Sequence, residues 1–139
     1  MLTGQYSHSL DSKGRVNFPA RLREELGERF VITRGLDSCL FVYSMEEWKL
    51  LADKLHQLPI SKSAALSRFF FAGAAEVEPD KQGRVLLPSH LREYAGLERD
   101  VVIAGVSNRA EIWDSARWEQ QNQLLTAEAV AGAMDALGF

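Results

Sequence analysis

The densest chemistry in the chain lies in two short stretches. In "DSKGRVNFPARLR", which begins at Asp11, the span from Lys13 to Arg23 holds Lys13, Arg15, Arg21 and Arg23 and no acid. In "DKQGRVLLPSHLR", which begins at Asp80, the span from Lys81 to Arg92 holds Lys81, Arg84 and Arg92, again with no acid. Arginine presents a planar fork of N–H donors suited to bidentate acceptors, and lysine a compact point charge. Such groups without neighbouring carboxylates suit recognition of a polyanion. They do not make a catalytic set. His8, His56 and His90 fall in different segments without ligand spacing. The chain has no paired cysteines, no H-E-x-x-H and no glycine-rich phosphate loop. Asp11 and Asp80 can be imagined as a carboxylate pair, but aspartate at the head of a turn is far commoner. No catalytic residue, metal ligand or cofactor is therefore expected. The single cysteine, Cys39 in "SCLFVY", reads as core filler in a strand.

The net charge of −3 argues against a polyanionic partner until its distribution is considered. Residues 1–69 carry ten basic and eight acidic side chains, whereas residues 70–139 carry six and eleven, so the positive surplus lies in the first half. With 46% hydrophobic and 25% charged residues the composition is that of a globular chain, which argues against disorder. The longest apolar run, "FFFAGAA" from Phe69, falls well short of the roughly 20 residues that span a bilayer. The first residues, "MLTGQYSHSLDSKG", lack an apolar signal core. A soluble, cytosolic protein without a membrane partner is expected.

The two basic stretches are copies of each other. Seven of their thirteen positions are identical, and at an offset of 69 Gly4 also meets Gly73 and Gly27 meets Gly96. After one inserted residue the match continues with Gly35 on Gly105, Tyr43 on Trp113 and Trp48 on Trp118. Each copy can be read locally. "DSKG" and "DKQG" suit a type I turn followed by a bulge glycine, with Asp11 and Asp80 accepting from amides ahead of them and Gly14 and Gly83 taking positive φ. The turn joins "QYSHSL" to "RVNF" in copy one and "AAEVE" to "RVLL" in copy two. Alternation puts Val16 and Phe18 on one face and Arg15 and Asn17 on the other. Leu86 stands where Asn17 does, which predicts that something covers this outer face. Pro19 and Pro88 end the ladder and open short helices that stop at Gly27 and Gly96. Arg23 and Arg92, mid-helix and next to glutamates, read as a solvated face.

Strand pairs "RFVIT"/"CLFVYS" and "DVVIA"/"AEIWDS" follow. A helix opens at Ser44 with Glu47 in capping-box spacing and an apolar stripe of Trp48, Leu51, Leu55 and Leu58. "PISKSAALSRFFF" predicts a short helix between the copies, and a last helix is expected from about Ser115 through "ARWEQQNQLLTAEA". The apolar end "LLTAEAVAGAMDALGF" reads as packing or fraying. Four short strands bury little alone, so the two units are expected to interleave into one β-core about a pseudo two-fold axis.

"DSKGRVNFP" and "DKQGRVLLP", each at a hairpin tip of a tandem duplication with "FVITRGLDSCLFVYSMEEW" after the first, resemble the MraZ family of bacterial transcriptional regulators. The resemblance covers nearly the whole chain. Each copy is also similar to the swapped-hairpin β-barrel module of the AbrB and SpoVT regulators and the MazE-type antitoxins. The resemblance implies an α+β, β-rich fold: a duplicated swapped-hairpin AbrB-like barrel with pseudo two-fold symmetry, flanked by short helices. It places the repeats at 4–48 and 73–118, connecting helices at 49–72 and a C-terminal helix or tail at 119–139. It further implies a nucleoid-associated regulator that binds double-stranded DNA at short direct repeats upstream of its own operon in the division and cell-wall cluster, as a ring of eight or twelve copies.

By the same resemblance Lys13, Arg15 and Arg84 would contact DNA. Gln82 stands where copy one has Lys13, which weakens the second tip. Two tips side by side would make a ribbon for the major groove, with Arg15 reading guanine O6 and N7 while Lys13, Lys81 and Arg21 meet phosphates. A salt bridge from Arg15 to Asp11, or from Arg84 to Asp80, is compatible with this. Ring closure needs a head-to-tail contact, expected from the apolar face near Leu86 or from "SRFFFAG". The alternative is an antitoxin-like or scaffold protein of the same fold without base-specific reading.

Overall fold

The computed structural model describes residues 1–138; Phe139, the last residue of the expected tail, lies outside them. In chain order the elements are β1 (Gln5–Ser9), β2 (Arg15–Asn17), α1 (Ala20–Leu26), β3 (Phe30–Arg34), β4 (Leu40–Ser44), α2 (Met45–His56) and α3 (Ile60–Phe70). The second half repeats them as β5 (Ala75–Val77), β6 (Arg84–Leu86), α4 (Ser89–Ala95), β7 (Asp100–Gly105), β8 (Ala110–Asp114), α5 (Ser115–Gln123) and α6 (Ala127–Asp135).

The halves interleave. β1 pairs with β7 of the other repeat, β5 pairs with β3, and β2 pairs with β6, all antiparallel. One six-stranded sheet runs β1-β7-β8-β4-β3-β5, and β2-β6 form a separate two-stranded ribbon. The ladders do not close this sheet into the expected barrel. β1 and β5 end the large sheet without pairing to each other, because each hairpin sends its second strand across to the ribbon. The pseudo two-fold axis passes where equivalent residues face each other, at Val16 and Val85 in the ribbon and at Phe41 and Glu111 in the β4-β8 ladder.

The match between copies needs one correction. Phe30 pairs with Ser44 and Val101 with Asp114, so Val101 is the counterpart of Phe30, and Val106 rather than Gly105 is that of Gly35. The hairpin loops agree: the Gly35 amide donates to Cys39 O at 2.8 Å and the Val106 amide to Arg109 O at 2.9 Å. Gly105 is glycine for another reason, since the backbone of Leu2 and Thr3 crosses where its Cβ would stand.

Alternation along the strands builds two cores. Phe30, Ile32, Leu40 and Val42 face the ribbon and pack with Val16, Val85, Leu22 and Leu91. Phe41, Tyr43 and Trp113 face the other way, toward Trp48 of α2, Phe70 of α3 and Trp118 of α5. The Ser44 cap forms as expected, its Oγ accepting from the Glu47 amide at 3.1 Å. The last helix divides in two because Thr126 caps a new one, its hydroxyl accepting from the Ala129 amide at 3.1 Å. All described residues of α6 are exposed. No helix among the described residues is long and apolar enough to cross a membrane.

Candidate nucleic-acid interface

Each D-x-x-G-R turn is a closed hydrogen-bonded unit. Asp11 Oδ1 accepts from the amides of Lys13 and Arg15, both at 2.9 Å, and Oδ2 accepts from Arg15 Nε at 2.7 Å. The Gly14 amide donates to Asp11 O at 3.0 Å, and φ of +82° at Gly14 turns the chain into β2. The second turn repeats this. Asp80 Oδ1 accepts from Gln82 and Arg84 amides at 2.9 Å, Oδ2 from Arg84 Nε at 2.9 Å, and Gly83 has φ of +80°. The amide of Arg15, foremost, holds the Asp11 carboxyl down to about 2; that of Arg84 likewise leads in lowering Asp80. Both carboxylates are thus charged at neutral pH and fix their arginines. Among the described residues no protein acceptor takes the Nη groups of either arginine, so the outer edge of each guanidinium remains open to a ligand.

The ribbon gives both arginines the same aspect. Val16 and Val85 are buried beneath it, and Arg15, Asn17, Arg84 and Leu86 point outward. In register Arg15 lies opposite Leu86 and Asn17 opposite Arg84, so the arginines occupy a diagonal whose Cα atoms ideal strand geometry sets about 8 Å apart. This corrects the expectation of tips side by side. Because β2 and β6 are antiparallel, the exposed tips with Lys13 and with Lys81 and Gln82 stand at opposite ends of the ribbon, and the arginines fill the face between them. Arg21 is exposed on α1, beside the buried Leu22.

Two further arginines belong to this region. Arg92 Nε donates to Leu87 O at 3.0 Å, and an ideal Cβ on Gly14 would lie 2.7 Å from its Cζ. Arg23 Nε donates to Phe18 O at 2.9 Å and lies against Gly83 in the same manner. They are partly buried against the opposite repeat's turn, not a solvated face. The signal was present in the sequence, since Gly14 with Arg23 and Gly83 with Arg92 are among the identities the copies share. What it does not show is that each arginine meets the turn of the other copy. Among the described residues nothing covers the outer face at Leu86, which is 56% exposed. "SRFFFAG" is not a free surface: Phe70 is buried on Phe41, and Phe69 and Phe71 pack on Tyr94 and Trp48.

A family model described as "MraZ protein, putative antitoxin-like" matches the chain twice, over residues 1–67 and 70–137. Curated relatives carry the name "Transcriptional regulator MraZ". That of Acetivibrio thermocellus is 56% identical over 143 residues, covering 100% of both chains. That of Caldanaerobacter subterraneus subsp. tengcongensis is 59% identical over 125 residues, 88% of this chain and 87% of its own. That of Alkaliphilus metalliredigens is 52% identical over 143 residues, covering 100% of both.

Proposed function

This chain belongs to the MraZ family, and from that membership we propose that it is a transcriptional regulator binding double-stranded DNA through the outer face of the β2-β6 ribbon. The observation that carries the reading is the diagonal of Arg15 and Arg84, each tethered at Nε by an aspartate and open at Nη. A two-stranded ribbon fits the major groove, and a guanidinium presented by its outer edge can donate twice to guanine O6 and N7, worth about 1–3 kcal/mol of discrimination. Arg15 is the principal base reader and Arg84 its counterpart. Lys13, Lys81, Gln82 and Arg21 contact the sugar-phosphate backbone, adding affinity with little sequence information.

The crosswise strand pairing supports describing the chain as two AbrB-like swapped-hairpin modules, 4–48 and 73–118, joined by the helices of 49–72 and followed by 119–139. So few cations per chain bind weakly at physiological salt. A ring of eight or twelve copies remedies this by presenting the same ribbon to successive direct repeats at high effective concentration. In this reading the ring acts on the nucleoid, in the cytoplasm, at repeats upstream of its own division and cell-wall operon.

The test is a salt titration of binding to a duplex of guanine-containing direct repeats from the protein's own upstream region, with a scrambled duplex and Arg15→Ala alongside. The expected result is a steep salt slope, a preference for the repeats and a loss of that preference in Arg15→Ala. Equal binding of both duplexes by both proteins would favour an antitoxin-like or scaffold role. A strict monomer at micromolar concentration would end the ring.

A further inference from the structure

We propose that Arg92 and Arg23 are positioning residues of this surface, each holding the turn of the opposite repeat, an inference that rests on the DNA-binding reading above. The chain of contacts is short. Arg92 Nε donates to Leu87 O at 3.0 Å, and the Leu87 amide donates to Gly14 O at 2.9 Å. The guanidinium that makes the first bond lies where a Gly14 side chain would begin. Helix α4 of the second repeat therefore sets the height of the first turn. The mirror set is Arg23 Nε to Phe18 O at 2.9 Å and the Phe18 amide to Gly83 O at 2.9 Å, with Arg23 over Gly83.

One peptide unit separates Gly14 from Arg15, so a displacement of the glycine moves the base-reading arginine with it. Gly14 and Gly83 are buried although they adjoin exposed tips, which fits a seat more than a free loop. The seat requires a flat group. A guanidinium can lie face-on against a glycine while its Nε reaches a carbonyl; a lysine ammonium has neither the plane nor the donor at that depth. The crossing also makes the coupling specific: Arg92 acts on Arg15, and Arg23 on Arg84.

The experiment compares Arg92→Met and Arg92→Lys, each alone and combined with Arg15→Ala or Arg84→Ala. Its readouts are duplex binding at low salt, the salt slope, and amide hydrogen exchange of the two turns. The expected loss for Arg92→Met is on the order of tenfold in affinity for the repeat duplex, the size of coupling between residues in contact. The salt slope stays unchanged, and exchange quickens in the Asp11–Arg15 turn but not in the Asp80–Arg84 turn. No further loss appears in the Arg15→Ala background, while the full loss appears with Arg84→Ala. Arg92→Lys behaves as Arg92→Met does, and carries the same comparisons if the methionine variant fails to fold.

An additive loss with Arg15→Ala and a slope reduced by about one would make Arg92 a phosphate contact and overturn the proposal. Wild-type binding by Arg92→Lys would overturn it too, since charge alone would then suffice. If Arg15→Ala itself binds like the wild type, the DNA-reading assignment fails, while the exchange measurement still decides whether Arg92 holds the first turn.

Discussion

Phe41 and Glu111 occupy equivalent places in the two repeats and face each other across the β4-β8 ladder, on the pseudo two-fold axis itself. An aromatic ring and a carboxylate make an unlike pair for one position. Arg109 reconciles them, with its Cζ 4.2 Å from the centroid of the Phe41 ring and Nη2 2.9 Å from Glu111 Oε2. Glu111 is 9% exposed, and its other oxygen accepts from Trp113 Nε1 at 3.0 Å. At this point of the seam Arg109 thus joins the two repeats.

Arg109→Ala is expected to cost about 1–3 kcal/mol of stability, less than breaking a fully buried pair because the Arg109 side chain keeps 31% exposure. Denaturant titration measures it. An unchanged midpoint would mean that Glu111 finds water or another donor.

The turn carboxylates predict an acid limb. The folded-state value of Asp11 lies near 2, below its ordinary 3.8, so its contribution is fully present above the ordinary value and disappears as pH falls through about 2. Asp80 acts in the same direction. Carboxyl ¹³C titration should show Asp11 still charged at pH 3. Asp11→Asn should flatten the acid limb and weaken repeat binding by roughly tenfold, the scale of a lost bidentate contact. A titration midpoint near 4 would contradict the turn geometry.

Gly14→Ala joins two faults, since φ is +82° and the new Cβ would stand 2.7 Å from Arg92 Cζ. A loss of about 1–3 kcal/mol follows from the backbone alone. Combining it with Arg92→Met should recover part of the further loss due to the collision. Thermal melts of the two single variants and the double variant decide it; strict additivity would show that the guanidinium swings aside at no cost.

Arg15 has Leu86 across the ribbon, whereas Arg84 has Asn17. Beside Arg15, the proposed guanine reader, an exposed leucine suits a thymine methyl, and asparagine suits adenine N6 and N7. Leu86→Asn should shift the preferred base next to the Arg15-contacted guanine from thymine toward adenine, by about 1–3 kcal/mol in selected-site binding. An unchanged preference would remove Leu86 from the reading surface.

The parts of this fold that local chemistry determines were legible in the sequence. Asp11, Gly14, Pro19 and Gly27 punctuate the first copy as Asp80, Gly83, Pro88 and Gly96 do the second, and the turn bonds, short helices and inward Val16 and Val85 all form where those residues predict. What stayed hidden depends on which strand meets which. No local pattern says that β1 joins β7 or that β2 joins β6. Hence local pattern alone puts the tips together and Arg23 and Arg92 in solvent. The Gly35 and Gly105 match misled for a related reason, because Gly105 answers to the passing N-terminal backbone and not to its repeat.

The duplication has a consequence for direction. A homodimer of identical hairpins offers a duplex the same surface from either end. Here Leu86 and Asn17 take opposite corners of one ribbon, so a helix rotated end for end meets a different molecule. A covalently joined pair is therefore free to prefer one heading along the duplex proposed as its ligand, and each half can be altered without altering its twin.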